Sequence, residues 1–306
     1  MKLRPLGSTG ILVSEIGLGC ASYWGKEIFS ESRAIRIVRR ASDAGVCYFD
    51  TGHSYSDGNA EPRLGKALRE MGGRRHELCI SSKAGTRFDS RRKLVKDFSP
   101  AWIRQSCHES LRRLGLERLP VLFLHGPRIA DLSDELMGTL ADLKSQGTIG
   151  AIGINTFDAP VLDHVERGGG FDVVMLDYNI LRQDHEPLIG RLQAQGVGVI
   201  AGAALGNALF SNRVFRVRGV RDLWYLARAL KNFREGIRRG RMFRFLERTP
   251  GATGAQAALA YVLGNSGVAA AVFGTTDEKH LVENLAASGI ALPAEVLGRI
   301  RAAACP

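Results

Sequence analysis

Short apolar runs alternate with amphipathic stretches along the whole chain, and this alternation most constrains its fold. Eight such runs of five to seven residues occur at 15–20, 47–51, 78–83, 121–126, 151–155, 173–178, 198–203 and 269–275. Their nearly continuous hydrophobicity is typical of strands that are buried on both faces of a parallel sheet. The sequence therefore predicts an α/β fold in which strands and helices alternate.

Residues that favour the starts and ends of helices lie between the apolar runs. Ser30, the Ser99-Pro100 pair and Ser133 each stand before a stretch with helical apolar spacing. Serine is a favoured N-cap residue, and proline is favoured in the first helical turn. Glycines follow the same three stretches, at Gly45, Gly115 and Gly147, where left-handed C-terminal caps are common.

Eight strands separated by helices in 306 residues favour a (β/α)8 TIM barrel. A doubly wound sheet usually has fewer strands and an early glycine-rich phosphate loop, and Gly17-Leu18-Gly19 lacks the third glycine of such a loop. We predict one barrel domain over residues 1–306, with an N-terminal β-hairpin at residues 4–13 that closes its floor.

The interval after the seventh strand is anomalous, because 71 residues separate Ala203 from Gly274. We therefore predict extra helices in this interval, with a basic insertion at 211–248. That segment holds eleven arginines and Lys231 against three acidic residues, and so supplies +9 of the formal net charge of +11. The basicity of the chain is thus local.

Three interpretations of the basic insertion are open. The simplest is a solvated amphipathic helix, because Leu223, Leu226 and Leu230 share one helical stripe. Alternatively, arginines early in the insertion contact cofactor phosphates, since the loop after the seventh strand of such barrels lies near their phosphate site. Nucleic-acid binding would need exposed aromatic residues along a groove, and most aromatic residues of this segment fit the buried stripe. We predict no nucleic-acid partner.

Composition limits the location and the chemistry of the protein. No uncharged apolar run reaches the roughly 18 to 20 residues of a membrane span, and the N-terminus lacks the apolar core of a secretory signal. We therefore predict a cytoplasmic protein without membrane partners. Five cysteines at irregular spacing fit neither a disulfide framework nor paired metal ligands, so we predict buried thiols and no metal. No pattern specifies an oligomeric state.

Polar residues end three of the predicted strands. Asp50, Lys83 and His125 stand at these ends, and Tyr55 follows Asp50 by five residues. In a parallel barrel all strands point their carboxyl ends to the same rim. A free tyrosine has a pKa of about 10, and a neighbouring ammonium lowers it. Lys83 can be that cation, Asp50 can keep it charged, and His125 can hydrogen-bond a substrate oxygen.

Asp50 and Lys83 alone would be explained better by a structural ion pair at the rim than by catalysis. Tyr55 and His125 in register with them favour catalysis instead, because the four groups together make a proton-transfer set.

Over essentially its whole length the chain resembles the aldo-keto reductases. The matching segments are 49–55 (FDTGHSY), 61–68 (EPRLGKAL), 80–85 (ISSKAG), 110–115 (SLRRLG) and 122–126 (LFLHG), with 274–276 (GTT) and 283–285 (ENL) resembling the family's C-terminal nucleotide signature. The resemblance implies a (β/α)8 barrel, an NADPH cofactor bound without a Rossmann domain, and a catalytic tetrad of Asp50, Tyr55, Lys83 and His125. It also implies reduction of an aldehyde or ketone, with hydride from the nicotinamide and a proton from Tyr55.

The resemblance implies cofactor contacts at the carboxyl rim and at the C-terminal signature. The implied residues are Gly19, Asp50, Asn155, Thr156, Tyr178, Leu205, Gly206, Asn207, Gly274, Thr275, Thr276, Lys279, His280, Glu283 and Asn284. The chain also departs from the family pattern. Met175 stands where glutamine is usual, and Gly202-Ala203-Ala204 replaces an aromatic residue or arginine followed by Ser-Pro. Lys279 and His280 match the position that meets the adenosine 2′-phosphate, so we predict NADPH, with NADH less favoured.

Rim loops supply candidate substrate contacts, which are Tyr23, Trp24, His53, Phe88 and Arg128. Each of them is equally consistent with ordinary packing or with a solvated side chain. We predict a small-molecule carbonyl substrate. Two alternatives remain open. The same residues could serve an isomerase, a dehydratase or a Schiff-base reaction at Lys83, or the altered residues could mark a barrel that binds a nucleotide without catalysis.

Overall fold

The computed structural model describes residues 1–206 and 234–304. Its centre is a closed barrel of eight parallel strands, and each strand pairs with the next strand of the barrel along the chain. The barrel strands are β3 (Ile16–Gly19), β4 (Tyr48–Asp50), β5 (Cys79–Ala84), β8 (Leu119–His125), β9 (Ile149–Asn155), β10 (Val173–Asp177), β11 (Gly198–Gly202) and β12 (Val268–Phe273). Pairing of β12 with β3 closes the ring, and the predicted (β/α)8 TIM barrel is confirmed.

Two antiparallel hairpins accompany the barrel. β1 (Leu3–Pro5) pairs with β2 (Leu12–Ser14), and β6 (Thr86–Phe88) pairs with β7 (Leu94–Lys96). The first hairpin places Leu6 in the interior of the barrel together with Val13, as the predicted floor requires. The second follows β5 directly and therefore stands at the rim that carries the strand ends.

Helices surround the barrel. They are α1 (Glu31–Asp43), α2 (Ala60–Glu70), α3 (Pro100–Leu114), α4 (Asp134–Ser145), α5 (Ala159–Glu166), α6 (Glu186–Ala194), α7 (Arg234–Gly240), α8 (Gly254–Leu263), α9 (Glu278–Leu285) and α10 (Ala294–Ala304). Ser30, Ser99 and Ser133 are N-caps of α1, α3 and α4, since each side chain accepts a hydrogen bond from the backbone N–H three residues later. The predicted starts of these helices follow from this capping chemistry.

Alternation along the strands divides the apolar residues into two layers. Tyr48, Phe123, Met175 and Ile200 belong to a cluster inside the barrel. Their immediate neighbours along the strands, such as Phe49, pack in the larger layer between sheet and helices. Since side chains of one strand alternate between the two faces, a polar residue two positions after an interior residue faces the mouth of the barrel.

Much of the basic insertion, namely 211–233, lies outside the described residues. After it, the chain forms α7 and a 3-10 helix over Arg241–Arg248, and Phe243 and Leu246 are buried in the sheet–helix layer. The single-domain assignment over 1–306, with its insertion at 211–248, stays a prediction.

Residues 1–206 and 234–304 show neither a membrane span nor a metal-binding cluster. Among these residues, a helix that combines the length and the hydrophobicity needed to span a bilayer is not found. Within the same ranges, no three potential ligands from His, Cys, Asp and Glu gather at a point that could hold a metal ion.

Candidate active site

The carboxyl ends of β4, β5 and β8 bring three polar side chains into the mouth of the barrel. Asp50 and His125 are the last residues of their strands, and Lys83 is the last but one of β5. Tyr48 and Phe123 stand two residues before Asp50 and His125 and lie inside the barrel. Strand alternation therefore aims the polar groups inward, one layer above the apolar interior.

Lys83 and Asp50 form a buried ion pair. The Lys83 ammonium donates hydrogen bonds to both carboxylate oxygens of Asp50, at 2.6 and 2.5 Å, and to the Thr51 carbonyl at 2.8 Å. Lys83 is 1% exposed and Asp50 5%. A charge buried to this degree needs a partner and further hydrogen bonds, and these three contacts provide both.

Tyr55 lies against Lys83 and His125. The Lys83 Nζ atom is 4.7 Å from the centroid of the Tyr55 ring. The rings of Tyr55 and His125 meet edge to face, with centroids 5.4 Å apart and planes at 79°. A phenol, an ammonium and an imidazole thus meet at one end of the barrel, and a carboxylate holds the ammonium.

The loop that carries Tyr55 is held to β5 by its backbone. The backbone N–H of Thr51 donates to the Ser81 carbonyl at 3.0 Å, and that of His53 donates to the Lys83 carbonyl at 3.2 Å. The Tyr55 ring folds back over Gly52, where an added Cβ would lie 3.2 Å from the ring carbons. Glycine at position 52 therefore leaves room for the ring without displacing it.

The pKa values of Lys83 and Tyr55 differ in part from what the sequence predicts. Burial alone would lower the pKa of Lys83, but the charge of Asp50, that of Tyr55 and their hydrogen bonds hold this pKa above its ordinary value. For Tyr55, burial raises the pKa, and the charge of Lys83 lowers it less than burial raises it. The net direction for the phenol is upward, so Tyr55 stays protonated near neutral pH in the free protein.

His125 is held in its uncharged form. Burial lowers its pKa to about 3, and the positive charges of Lys83 and Lys96 contribute to the same direction. Lys96 lies beside His125 because its ammonium donates to the His125 backbone carbonyl. Within the described part of the chain, the buried Nδ1 atom of His125 has no hydrogen-bond partner. A neutral imidazole can orient a carbonyl oxygen without competing as an acid.

Two residues of the site were not singled out from the sequence. The Ser81 hydroxyl donates to Asp50 Oδ1 at 2.7 Å and lies 2.9 Å from the Tyr48 hydroxyl. Thr51 is fully buried and supplies the carbonyl that holds Lys83. Strand alternation was a usable signal for Ser81, since it lies two residues before Lys83 and so faces the same side.

Small and apolar residues form the other side of the mouth. A Cβ added at Gly274 would lie 3.3 Å from the Gly19 carbonyl oxygen, so these two glycines are neighbours. A Cβ added at Gly202 would lie 3.4 Å from Met175 Cγ and 3.7 Å from its sulfur. These three glycines therefore add no side chain on this side of the mouth, where the neighbouring side chains of Met175 and Val272 are apolar.

Asn155 and Thr156 lie at the end of β9, next to this side of the mouth. The Asn155 side-chain amide donates to the Met175 carbonyl at 3.1 Å, and the backbone N–H of Thr156 donates to the same oxygen at 3.1 Å. The Thr156 hydroxyl accepts from the Asp158 N–H at 3.1 Å. Among the described residues, the carbonyl oxygen of the Asn155 side chain and the hydroxyl proton of Thr156 have no further partner, so both can serve a ligand.

The C-terminal signature lies at the start of α9. Asp277 caps this helix, and its side chain accepts from the Lys279 N–H at 2.8 Å. Lys279 and His280 are exposed in the first turn, whereas Glu278 forms ion pairs with arginines of α1. The other predicted residues of this segment, Thr275, Thr276, Glu283 and Asn284, are buried or partly buried. The exposed side chains of Lys279 and His280 can reach a phosphate at this helix N-terminus.

Four predicted cofactor residues make structural contacts or lie at or beyond the edge of the described range. The Tyr178 hydroxyl donates to Glu186 at 2.6 Å, and its ring belongs to the layer between sheet and helices. The structure therefore does not bring Tyr178 to the mouth. Leu205 and Gly206 end the described range before the insertion, and Asn207 lies outside it.

The candidate substrate residues divide into two groups. Trp24 is buried, and its indole N–H donates to the Ala34 carbonyl of α1, while the His53 imidazole lies 2.8 Å from Glu109 of α3. Tyr23 contacts Phe29, Phe88 is partly exposed on β6, and the Arg128 side chain is 83% exposed. Trp24 and His53 are thus engaged in contacts with helices. Tyr23, Phe88 and Arg128 lie on the segments that follow the carboxyl ends of β3, β5 and β8.

The sequence and the fold were compared with known proteins. The model of the Aldo/keto reductase family matches residues 15–304. L-galactose dehydrogenase of Arabidopsis thaliana is 32% identical over 225 residues, which cover 70% of this chain and 68% of that protein. An uncharacterized oxidoreductase of Bacillus subtilis, YqkF, is 26% identical over 294 residues, covering 94% and 91%.

A solved structure shares the architecture. The holo form of aldo-keto reductase AKR11C1 from Bacillus halodurans superposes with a TM-score of 0.83 at 28% identity, over 99% of this chain and 96% of that one. The family match, the relatives and the barrel with its polar mouth agree: the chain belongs to the aldo/keto reductase family.

Proposed function

We propose that this protein reduces an aldehyde or ketone with hydride from NADPH, and that Tyr55 is the general acid. Membership of the family supports an oxidoreductase that uses a nicotinamide cofactor. The observation that carries the proposal is the position of the Tyr55 ring between the Lys83 ammonium and the His125 imidazole.

The residues present suit a nicotinamide cofactor. Gly19, Gly202 and Gly274 add no side chains on the side of the mouth opposite Lys83, and this would leave room for a planar ring. Asn155 and Thr156 at its edge would hold the carboxamide, and Lys279 with His280 would meet the phosphate of the adenosine ribose. When bound, NADPH supplies the hydride for the carbonyl carbon.

The chain's own residues account for the rest of the reaction. The Tyr55 hydroxyl and the neutral His125 ring hold and polarise the carbonyl oxygen. As negative charge develops on that oxygen, Tyr55 transfers its proton and becomes a phenolate. The Lys83 ammonium stabilises this phenolate, since it already lowers the pKa of Tyr55 against the effect of burial. Asp50 keeps Lys83 charged and fixed.

The same contacts argue against a Schiff-base reaction. A lysine that attacks a carbonyl must be an uncharged amine, and such lysines have a lowered pKa. The pKa of Lys83 is instead raised, and its ammonium is bound by Asp50 and by the Thr51 carbonyl. Lys83 is therefore suited to stabilise a phenolate rather than to act as a nucleophile.

Replacing Tyr55 by phenylalanine tests the proposal. We expect Tyr55→Phe to lower kcat for NADPH-dependent reduction of an aldehyde panel by about 10²- to 10⁴-fold, because a positioned general acid contributes that much. NADPH binding, followed by quenching of protein fluorescence and compared with NADH, should change little.

Tyr261→Phe is the matched control. It also removes a buried phenol hydroxyl, while Tyr178 continues to donate to Glu186, so activity should be retained. Retained turnover in a folded Tyr55→Phe protein would contradict the role of Tyr55. Tight NADPH binding without turnover of any carbonyl by the unmodified protein would favour a non-catalytic nucleotide-binding barrel.

A further inference from the structure

A chain of buried hydrogen bonds lies behind the site, between the barrel and the helices α2 and α3. The Ser82 hydroxyl donates to Glu61 at 2.6 Å, and Arg113 donates to the other oxygen of Glu61 at 3.2 Å. Arg113 also donates to Glu109 at 3.2 Å, and Glu109 accepts from His53 Nε2 at 2.8 Å. Five side chains from β5, α2, α3 and the Tyr55 loop are thus connected.

Both ends of this chain are adjacent to catalytic groups. Ser82 precedes Lys83 on β5, and its side chain points outward because that of Lys83 points inward. His53 precedes Tyr55 by two residues, and Arg113 donates a further bond, of 3.3 Å, to the His53 carbonyl. The network therefore connects the strand that carries the ammonium to the loop that carries the phenol.

The side chains of this hydrogen-bonded chain are largely shielded from water. Glu61 and Ser82 are fully buried and His53 is 6% exposed, while the Glu109 and Arg113 side chains are 21% and 26% exposed. Burial would raise the pKa of Glu109, but its bonds to Gln105 and His53 and the charges of His53 and Arg113 lower it instead. Charge-assisted bonds in such an environment are strong, and the loss of one member leaves its partner unsatisfied.

Other side chains also fasten the segment around Tyr55: the Ser54 hydroxyl lies 2.8 Å from the Thr86 hydroxyl, and the Ser56 hydroxyl donates to the Ser22 carbonyl at 2.8 Å. Ser56 and Asp57, directly after Tyr55, adopt the left-handed φ values of 55° and 63°, which are unfavourable for both residues. The Tyr55 N–H donates to the Gly52 carbonyl within the same loop at 3.0 Å. His53 is bound to α3 through both its ring and its carbonyl and lies two residues before Tyr55, so a movement of His53 would shift the backbone that leads to the phenol.

We propose that His53, acting through Glu109, is a positioning residue that holds the Tyr55 hydroxyl at its working distance from Lys83. The inference deepens the proposed reduction and rests on it. A displacement of about 1 Å in a reacting group can cost on the order of 100-fold in rate. His53 therefore contributes through Tyr55 and not through contact with substrate.

The test compares two substitutions at the same position. His53→Leu removes the bond to Glu109, and we expect kcat to fall about 10- to 100-fold, with KM for the carbonyl and Kd for NADPH changed less than about threefold. His53→Gln keeps an N–H near the position of Nε2 and should restore most of kcat. Glu109→Gln, which keeps an acceptor oxygen, is a second variant if His53→Leu does not fold.

The matched control lies on the same helix. Arg104 of α3 donates to Asp142 at 2.6 Å in an exposed pair, and Arg104→Met should leave kcat unchanged. The pH dependence separates positioning from general damage. A Tyr55 phenol farther from Lys83 loses the interaction that lowers its pKa, so the alkaline fall of kcat should move to higher pH in His53→Leu.

A spectroscopic titration keeps this inference distinct from the proposed function. Ultraviolet absorbance of the phenolate, taken as the difference from Tyr55→Phe, reports the pKa of Tyr55 without any substrate. We expect this pKa to rise in His53→Leu and to return toward the original value in His53→Gln. An unchanged Tyr55 titration and an unchanged kcat in His53→Leu would overturn the positioning role. A shifted titration in a protein that reduces no carbonyl would overturn the reductase proposal alone.

Discussion

The two sides of the barrel mouth are built from opposite kinds of residue. The wall formed by β4, β5 and β8, here called the catalytic wall, presents Asp50, Lys83 and His125. The wall formed by β10, β11 and β12, here called the opposite wall, presents Met175 and Gly202. Asp50 and Lys83 on the catalytic wall are buried and paired with each other, whereas the opposite wall presents an apolar side chain and a glycine.

The contrast shows how a site can separate chemistry from binding. The catalytic wall needs exact distances, and it obtains them from charged bonds such as those of Lys83 to Asp50 and Thr51. Under the proposed function the opposite wall would need only shape, which glycine supplies without polar contacts. We therefore expect substitutions on the catalytic wall to affect stability and kcat, and substitutions on the opposite wall to affect cofactor affinity.

The largest effect is expected from Lys83→Met. This substitution leaves the Asp50 carboxylate buried without its counter-ion, which costs about 3–5 kcal/mol of unfolding free energy. It should also abolish measurable turnover. Lys144→Met removes a partly exposed lysine from Asp172, 2.7 Å away, and should cost less than about 1 kcal/mol. Urea unfolding of both variants measures the difference, and equal losses would contradict the distinction.

An effect of intermediate size is expected from His125, on the pH dependence of stability. Its pKa is lowered from 6.5 to about 3 in the folded protein, so between these values the unfolded chain binds a proton that the folded protein does not. Stability should therefore fall as the pH falls through this window, by roughly 2 kcal/mol between neutral pH and pH 5 from this residue alone.

His125→Gln removes this titration, and the difference between the two proteins isolates it from other groups. We expect urea unfolding to show a smaller loss of stability between pH 7 and pH 5 in His125→Gln than in the unmodified protein. Parallel pH dependences would mean that His125 is not held uncharged.

Much of the catalytic wall could be predicted from local sequence patterns. Strand alternation places Asp50, Lys83 and His125 on one face, and serine caps mark the helices between the strands. The direction of the Tyr55 pKa was not predictable in this way. A neighbouring ammonium can be inferred from strand ends, but the burial that outweighs it depends on the whole fold.

The network behind the site was not predictable at all. His53 and Glu109 are 56 residues apart, and no periodicity relates a loop position to a helix position. From the sequence, His53 was a candidate substrate contact, whereas the structure places its ring against Glu109 and Trp102. Pairings between loops and helices are set by packing, which leaves no local sequence signal.

The smallest effect is expected on the opposite wall, and it tests whether this wall binds the cofactor. Gly202→Leu adds a side chain toward the mouth, and overpacking there should weaken NADPH binding on the order of tenfold. Gly202→Ala should change little, because its Cβ would make ordinary contacts of 3.4 Å with Leu176 and Met175. Fluorescence titration gives Kd, and kcat at saturating NADPH should stay far above that of Lys83→Met. An unchanged Kd in Gly202→Leu would mean that the opposite wall does not bind the cofactor, which would then have to lie elsewhere.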